Sequence, residues 1–189
     1  MKRKHSELSI KIFADGADLK VIERLKEHPF VKGFTTNPSL MRKAGVTDYR
    51  NFANQALKMI PELPLSLEVL SDNLIEMENQ ARVISSWGNN VFVKIPVMTT
   101  KKIFTGPIIK SLSKDGIKIN VTAIMTTEQI KEILKTLHYD TPTILSVFAG
   151  RIADTGRDPM PLIKKCLTFL KQHKNVELLW ASPRELLNI

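Results

Sequence analysis

Val91-Phe92-Val93-Lys94-Ile95-Pro96-Val97 places a lysine inside an apolar, largely β-branched run with the length of a buried strand. A strand apolar on both faces belongs in a parallel sheet covered by helices. Burial disfavours the charged form of a lysine there, and a lysine that is part of the time a free amine attacks carbonyls to form a Schiff base. The alternative is a lysine near a strand end whose stem lies on apolar surface while its head reaches water. The rest of the chain decides between the two.

Outward from this stretch the same alternation repeats. Strand signals begin near residues 11, 31, 65, 91, 117, 143 and 176, and a helical pattern separates each from the next. Asp18 and the Thr126-Thr127-Glu128-Gln129 capping box mark helix starts, and Lys114-Asp115-Gly116 marks a helix stop. A helix is expected from about Lys102 to Lys114, and Ser71-Asp72 is expected to open another whose core face holds Leu74, Met77, Ala81 and Ile84. Thr35 to Ser39 reads as a loop shaped by Asn37-Pro38. Strands alternating with helices predict an α/β fold of parallel strands, either a doubly wound sheet or a (β/α)8 barrel.

The polar residues separate these two architectures. The successive strands end at Asp15, at Thr36 and Asn37, at Glu68, at Lys94, at Asn120 and Thr122, at Ser146 and Arg151, and at Ser182 and Arg184. In a barrel those ends converge on one pocket, where barrel enzymes keep their chemistry. In an open sheet they would be strung along a line. Each has a mundane reading as turn, cap or surface charge, but Glu68 interrupts an apolar run, and burial would cost free energy at every strand end. The barrel is therefore expected.

Composition bounds the rest. The 189 residues suit one domain, expected over 1–189, with a basic tail over 1–10. The single cysteine, Cys166, excludes an internal disulfide and a cysteine-based metal cluster, and its neighbours Leu162, Ile163, Leu167 and Leu170 suggest core packing. No apolar run approaches the ~20 residues of a membrane helix, and the cytoplasm is the expected address. The net charge of +9 suits an anionic partner, but aromatics are only 6% and no zinc-finger, RNP-type or basic-zipper pattern occurs, which argues against nucleic acid. A small phosphorylated substrate needs only two or three placed cations.

The segment Gly33-Phe34-Thr35-Thr36-Asn37-Pro38-Ser39-Leu40 resembles the T-T-N-P-S signature of transaldolases. V-F-V-K-I-P-V, I-N-V-T-A-I-M, S-V-F-A-G-R-I-A-D-T-G-R-D-P and A-S-P-R are similar to the same family in the same order. The resemblance implies a class I transaldolase on a (β/α)8 barrel, without metal or cofactor, acting on sugar phosphates in the pentose phosphate pathway. It implies Lys94 as the Schiff-base nucleophile, Asp15 as the acid/base, and Glu68 with Thr122 as holders of the proton-shuttling water. Asn37, Asn120 and Ser146 would bind the three-carbon unit, with Thr36 and Phe148 beside the substrate. Arg151, Ser182 and Arg184 would bind phosphate.

A fructose 6-phosphate aldolase is a near neighbour, but it typically has glutamine at Glu68 and tyrosine at Phe148. The sequence departs from the family pattern at Phe34, at Gly16 and in Val97-Met98-Thr99-Thr100-Lys101-Lys102 after Pro96. Against the family, seven of the eight strands are expected, with the eighth β/α unit expected to be missing after Ile189. That leaves open an inactive barrel relic binding sugar phosphates or a protein, a homo-oligomer, and completion by a partner.

Overall fold

The computed structural model describes residues 9–184; most of the basic N-terminal tail (1–8) and residues 185–189 lie outside the described residues. Two units divide the chain. The first holds residues up to Glu68 together with Ser86–Val91, and the second holds Val69–Ser85 and the chain from Phe92 onward.

In the first unit, β1 (Ile12–Asp15), β2 (Val31–Thr35) and β3 (Leu65–Glu68) run parallel in chain order. Register pairs Asp15 with Thr35, and Thr35 with Ser66. The connections are α1 (Leu19–Leu25), α2 (Pro38–Lys43) and α3 (Tyr49–Met59). Asp18 caps α1 by accepting from the Lys20 N–H at 2.8 Å, and Asp48 caps α3 by accepting from Asn51. Phe52, Ala53, Ala56 and Leu57 form the buried stripe of α3.

The second unit carries α4 (Leu74–Ser85), β4 (Val91–Pro96, from Phe92 on), α5 (Gly106–Lys114), β5 (Ile119–Ile124) and α6 (Thr127–Leu134). β6 (Thr143–Val147), α7 (Ala149–Asp154), α8 (Met160–Leu170) and β7 (Val176–Trp180) follow. Its strands are again parallel and in chain order. All of β6 is buried, as expected of a strand covered on both faces, whereas most of β7 is half-buried. The capping box forms as expected between Thr126 and Gln129. This is an α/β fold of the (β/α)8-barrel type, with seven strands among the described residues.

The structure differs from the sequence expectation in five places. The Asn37-Pro38 loop is the start of α2, because Asn37 is an N-cap and proline fits the first helical turn. The helix expected from Lys102 begins at Gly106, because residues 97–105 fold back on themselves with an antiparallel bridge between Met98 and Phe104 and Lys102 at φ 61. Asp72 does not cap α4. Asn73 does, accepting from Ile75 and Glu76, while Asp72 accepts from the backbone N–H and hydroxyl of Thr100. The short helix α7 has no counterpart in the expected elements. Cys166, Ile163 and Leu170 face the core, but Leu167 is 51% exposed and lies off that stripe.

Candidate active site

Strand ends supply the candidate residues, and each unit gathers its own set. In the first, Asp15 ends β1 and accepts a hydrogen bond of 2.7 Å from the Thr35 hydroxyl. The Gly16 N–H donates to the Thr35 carbonyl at 3.0 Å, so β2 fixes the chain on both sides of the Asp15 side chain. A cavity of about 270 Å³ adjoins it, lined mainly by apolar residues such as Val21, Leu25, Phe34 and Leu40, with Lys43 also in its wall.

Thr36 is fully buried, and its N–H donates to the Ser66 carbonyl at 3.1 Å. The Asn37 side-chain oxygen accepts from the Leu40 N–H at 2.9 Å, so the cap reading and the substrate reading fall on one amide. Glu68 closes β3, and its carbonyl accepts from the Tyr49 hydroxyl at 2.9 Å. Burial, then the nearby Glu68 charge, raise the Tyr49 phenol above its ordinary range. Tyr49 also meets the Trp87 ring edge-on at 5.3 Å. Sequence reasoning passed over Tyr49, whose only signal is its place at the start of a helix.

In the second unit, Lys94 lies within β4 and is 8% exposed. Its register partner on β5 is Asn120, and Thr122 is paired with Pro96. Asn120 and Ser146 are 0% and 1% exposed, and the Ser146 hydroxyl donates to the Asn120 side-chain oxygen at 2.7 Å. Strand pairing thus brings together a buried amine, a buried amide and a buried hydroxyl from three successive strands.

Thr122 adds a further polar group. It is 2% exposed, and its hydroxyl has no hydrogen-bond partner among the described residues. Leaving a hydroxyl buried in that state costs about 1–3 kcal/mol. The backbone is irregular at the same point. The β5–β6 register shifts between Val121 and Ile124, and Ala123 sits at φ 59, in the left-handed region that alanine disfavours. Such bulges re-aim a side chain and concentrate beside functional sites.

The remaining candidates lie around α7 and the segment after β7. Phe148 is the N-cap residue of α7, and its N–H donates to the Ile124 carbonyl. Arg151 stands exposed on α7. Arg184 donates to the Ser182 hydroxyl at 2.8 Å and also forks onto Asp154, from Nε to Oδ1 at 2.8 Å and from Nη2 to Oδ2 at 2.5 Å. The guanidinium holds the Asp154 carboxyl below the ordinary carboxylate range, and Arg151 adds to the effect. Asp154 was missed in the sequence, although its spacing of three residues from Arg151 places both on one side of a helix.

Among the described residues no three or more histidine, cysteine, aspartate or glutamate side chains are grouped to hold a metal ion. No helix among them is long and apolar enough to cross a membrane.

Residues 12–189 match the model of the family described as transaldolase/fructose-6-phosphate aldolase. A probable transaldolase of Dehalococcoides mccartyi is 35% identical over 164 residues, covering 87% of this chain and 72% of the relative. One of Herpetosiphon aurantiacus is 34% identical over 178 residues, covering 93% and 75%. Among solved structures, a dihydrodipicolinate synthase family protein from Coccidioides immitis has a TM-score of 0.52 at 15% identity, covering 88% of this chain and 58% of that one. N-acetylneuraminate lyase from Mycoplasma synoviae also has a TM-score of 0.52, at 13% identity, with 90% and 63% covered. This chain therefore spans about three fifths of the length of those two structures, and the likeness is one of fold.

Proposed function

Because the chain belongs to the transaldolase/fructose-6-phosphate aldolase family, we propose that it transfers a dihydroxyacetone unit between sugar phosphates through a Schiff base on Lys94. The observation that carries this reading is the placement of Lys94, 8% exposed on β4 with Asn120 as its register partner and Ser146 bonded to Asn120. An amine that must add to a carbonyl gains from a buried site with hydrogen-bonding groups already in place.

The chemistry follows from that amine. The Lys94 nitrogen adds to C2 of the ketose phosphate, and the carbinolamine loses water to give a protonated imine. Asp15 takes the C4 hydroxyl proton as the C3–C4 bond breaks, and the bonding pair passes into the iminium to leave an enamine. The aldose phosphate departs, the enamine attacks the acceptor aldehyde, and water hydrolyses the new imine. Glu68 and Thr122 handle the water and its protons, general acid–base help that contributes roughly 10²–10⁴-fold. Asn37, Asn120 and Ser146 hydrogen-bond the retained three carbons, Thr36 and Phe148 flank the substrate, and Arg151, Ser182 and Arg184 take the phosphate. These roles follow the motifs that the chain shares with the family. The unpartnered Thr122 hydroxyl supports its share, since a water or substrate oxygen would satisfy it.

Donors on this reading are sedoheptulose 7-phosphate or fructose 6-phosphate, and acceptors are glyceraldehyde 3-phosphate or erythrose 4-phosphate. The family description also names fructose-6-phosphate aldolase, and cleavage of fructose 6-phosphate without transfer would release free dihydroxyacetone. Glu68 and Phe148 favour transfer, being the transaldolase choices at both positions. Incubation of fructose 6-phosphate with erythrose 4-phosphate should yield sedoheptulose 7-phosphate, with no turnover when the acceptor is left out. Dihydroxyacetone accumulating without acceptor would overturn transfer in favour of the lyase.

A further inference from the structure

We propose that Asp154 is a positioning residue for phosphate recognition, acting through Arg184 to hold its guanidinium beside the Ser182 hydroxyl as one anion-binding unit. The inference rests on the phosphate role given above to Arg151, Ser182 and Arg184, and adds a residue to which no role had been assigned.

Arg184 is gripped along two edges. Nε and Nη2 fork onto the two Asp154 carboxylate oxygens, while Nη1 reaches the Ser182 hydroxyl at 2.8 Å and its carbonyl at 3.1 Å. A free arginine side chain samples many rotamers and must be ordered when it binds an anion. Here that ordering is complete beforehand, and the two groups expected to meet phosphate, a guanidinium nitrogen and a hydroxyl, are hydrogen-bonded neighbours.

The backbone is shaped to the same end. Ser182 sits at φ 59, and a Cβ on Gly150 would lie 1.6 Å from the Ser182 carbonyl oxygen. Only glycine allows α7 and the segment after β7 to approach this closely. Asp154 lies one turn beyond Arg151 on α7. The carboxylate therefore draws Arg184 toward the helix that carries the second cation.

Asp154 and Arg184 are both exposed, and ion pairs at a surface add little to folding stability. The consequence of this pair is orientation. Bidentate geometry fixes the plane of the guanidinium in a way that one contact could not.

The test is titration of the full chain with inorganic phosphate, followed by a double-mutant cycle. Loss of one charge-assisted anchor should weaken phosphate binding by about tenfold in Asp154→Ala. In an Arg184→Ala background the same substitution should have no further effect. Asp154→Glu, which keeps the carboxylate, should recover part of the loss. With fructose 6-phosphate as donor, the Asp154→Ala penalty should fall on KM and not on kcat. Unchanged or tighter phosphate binding in Asp154→Ala overturns the proposal, as does a full effect that persists without Arg184. The phosphate titration needs no turnover, so failure of transfer activity and failure of this inference are read separately.

Discussion

Lys94, Asn120 and Ser146 meet in the interior of the second unit, whereas Asp154 and Arg184 meet at its surface. The interior group is held by strand register. Lys94 pairs with Asn120 in the parallel register of β4 and β5, and the Ser146 hydroxyl on β6 donates to the neutral Asn120 side chain. The surface group is held by a charged fork, by a left-handed Ser182 and by a helix that touches the backbone through Gly150. A dry centre needs its polar groups satisfied before substrate arrives, since burying them otherwise costs free energy. On the proposed function the surface group takes phosphate, which needs charge, and charge stays at the rim where water moderates its desolvation.

If the rim depends on close backbone approach, it should be the more brittle of the two. Gly150→Ala forces a carbon against the Ser182 carbonyl and should cost about 3 kcal/mol, read as a lower urea midpoint, together with weaker phosphate binding. An unchanged midpoint would mean that the segment after β7 simply moves aside. The interior should respond more gently to a single atom. Ser146→Ala removes the donor to Asn120 and should cost about 1–2 kcal/mol in the same measurement. A null effect there would show that strand register alone positions the amide.

Thr122 is the exception in the interior: its hydroxyl has no hydrogen-bond partner among the described residues, so stability and activity should move in opposite directions. Thr122→Val should leave the fold as stable or up to about 1 kcal/mol more stable, while transfer slows by about 10²-fold. Loss of stability in this variant would mean that the hydroxyl serves the fold and not the reaction.

Most of the interior was legible in the sequence, and much of the rim was not. Strand positions follow from short apolar runs such as 91–97 and 143–148, and their spacing carries Lys94, Asn120 and Ser146 to neighbouring strands without any knowledge of side-chain contacts. Asn37-Pro38 reads as a loop in the sequence because a six-residue helix shows no periodicity, although asparagine before proline is also how a helix starts. The fold-back over residues 97–105 was hidden by Lys102, which is left-handed where a glycine would have signalled the turn. The proline of Gly106-Pro107, in the first turn of α5, is the sequence signal for the start at Gly106 that the expectation of a helix from Lys102 did not use. The Asp154–Arg184 pair joins residues 30 positions apart at the surface, and no local pattern reports a contact of that kind.

Borohydride trapping reports directly whether Lys94 forms the Schiff base. Incubation with fructose 6-phosphate and sodium borohydride, followed by peptide mapping, should place a reduced dihydroxyacetone adduct on Lys94 alone. Lys94→Ala should abolish the adduct and lower turnover by on the order of 10⁴-fold or more. A folded protein that turns over the sugar phosphate with no adduct, or with the adduct on another lysine, would contradict the account.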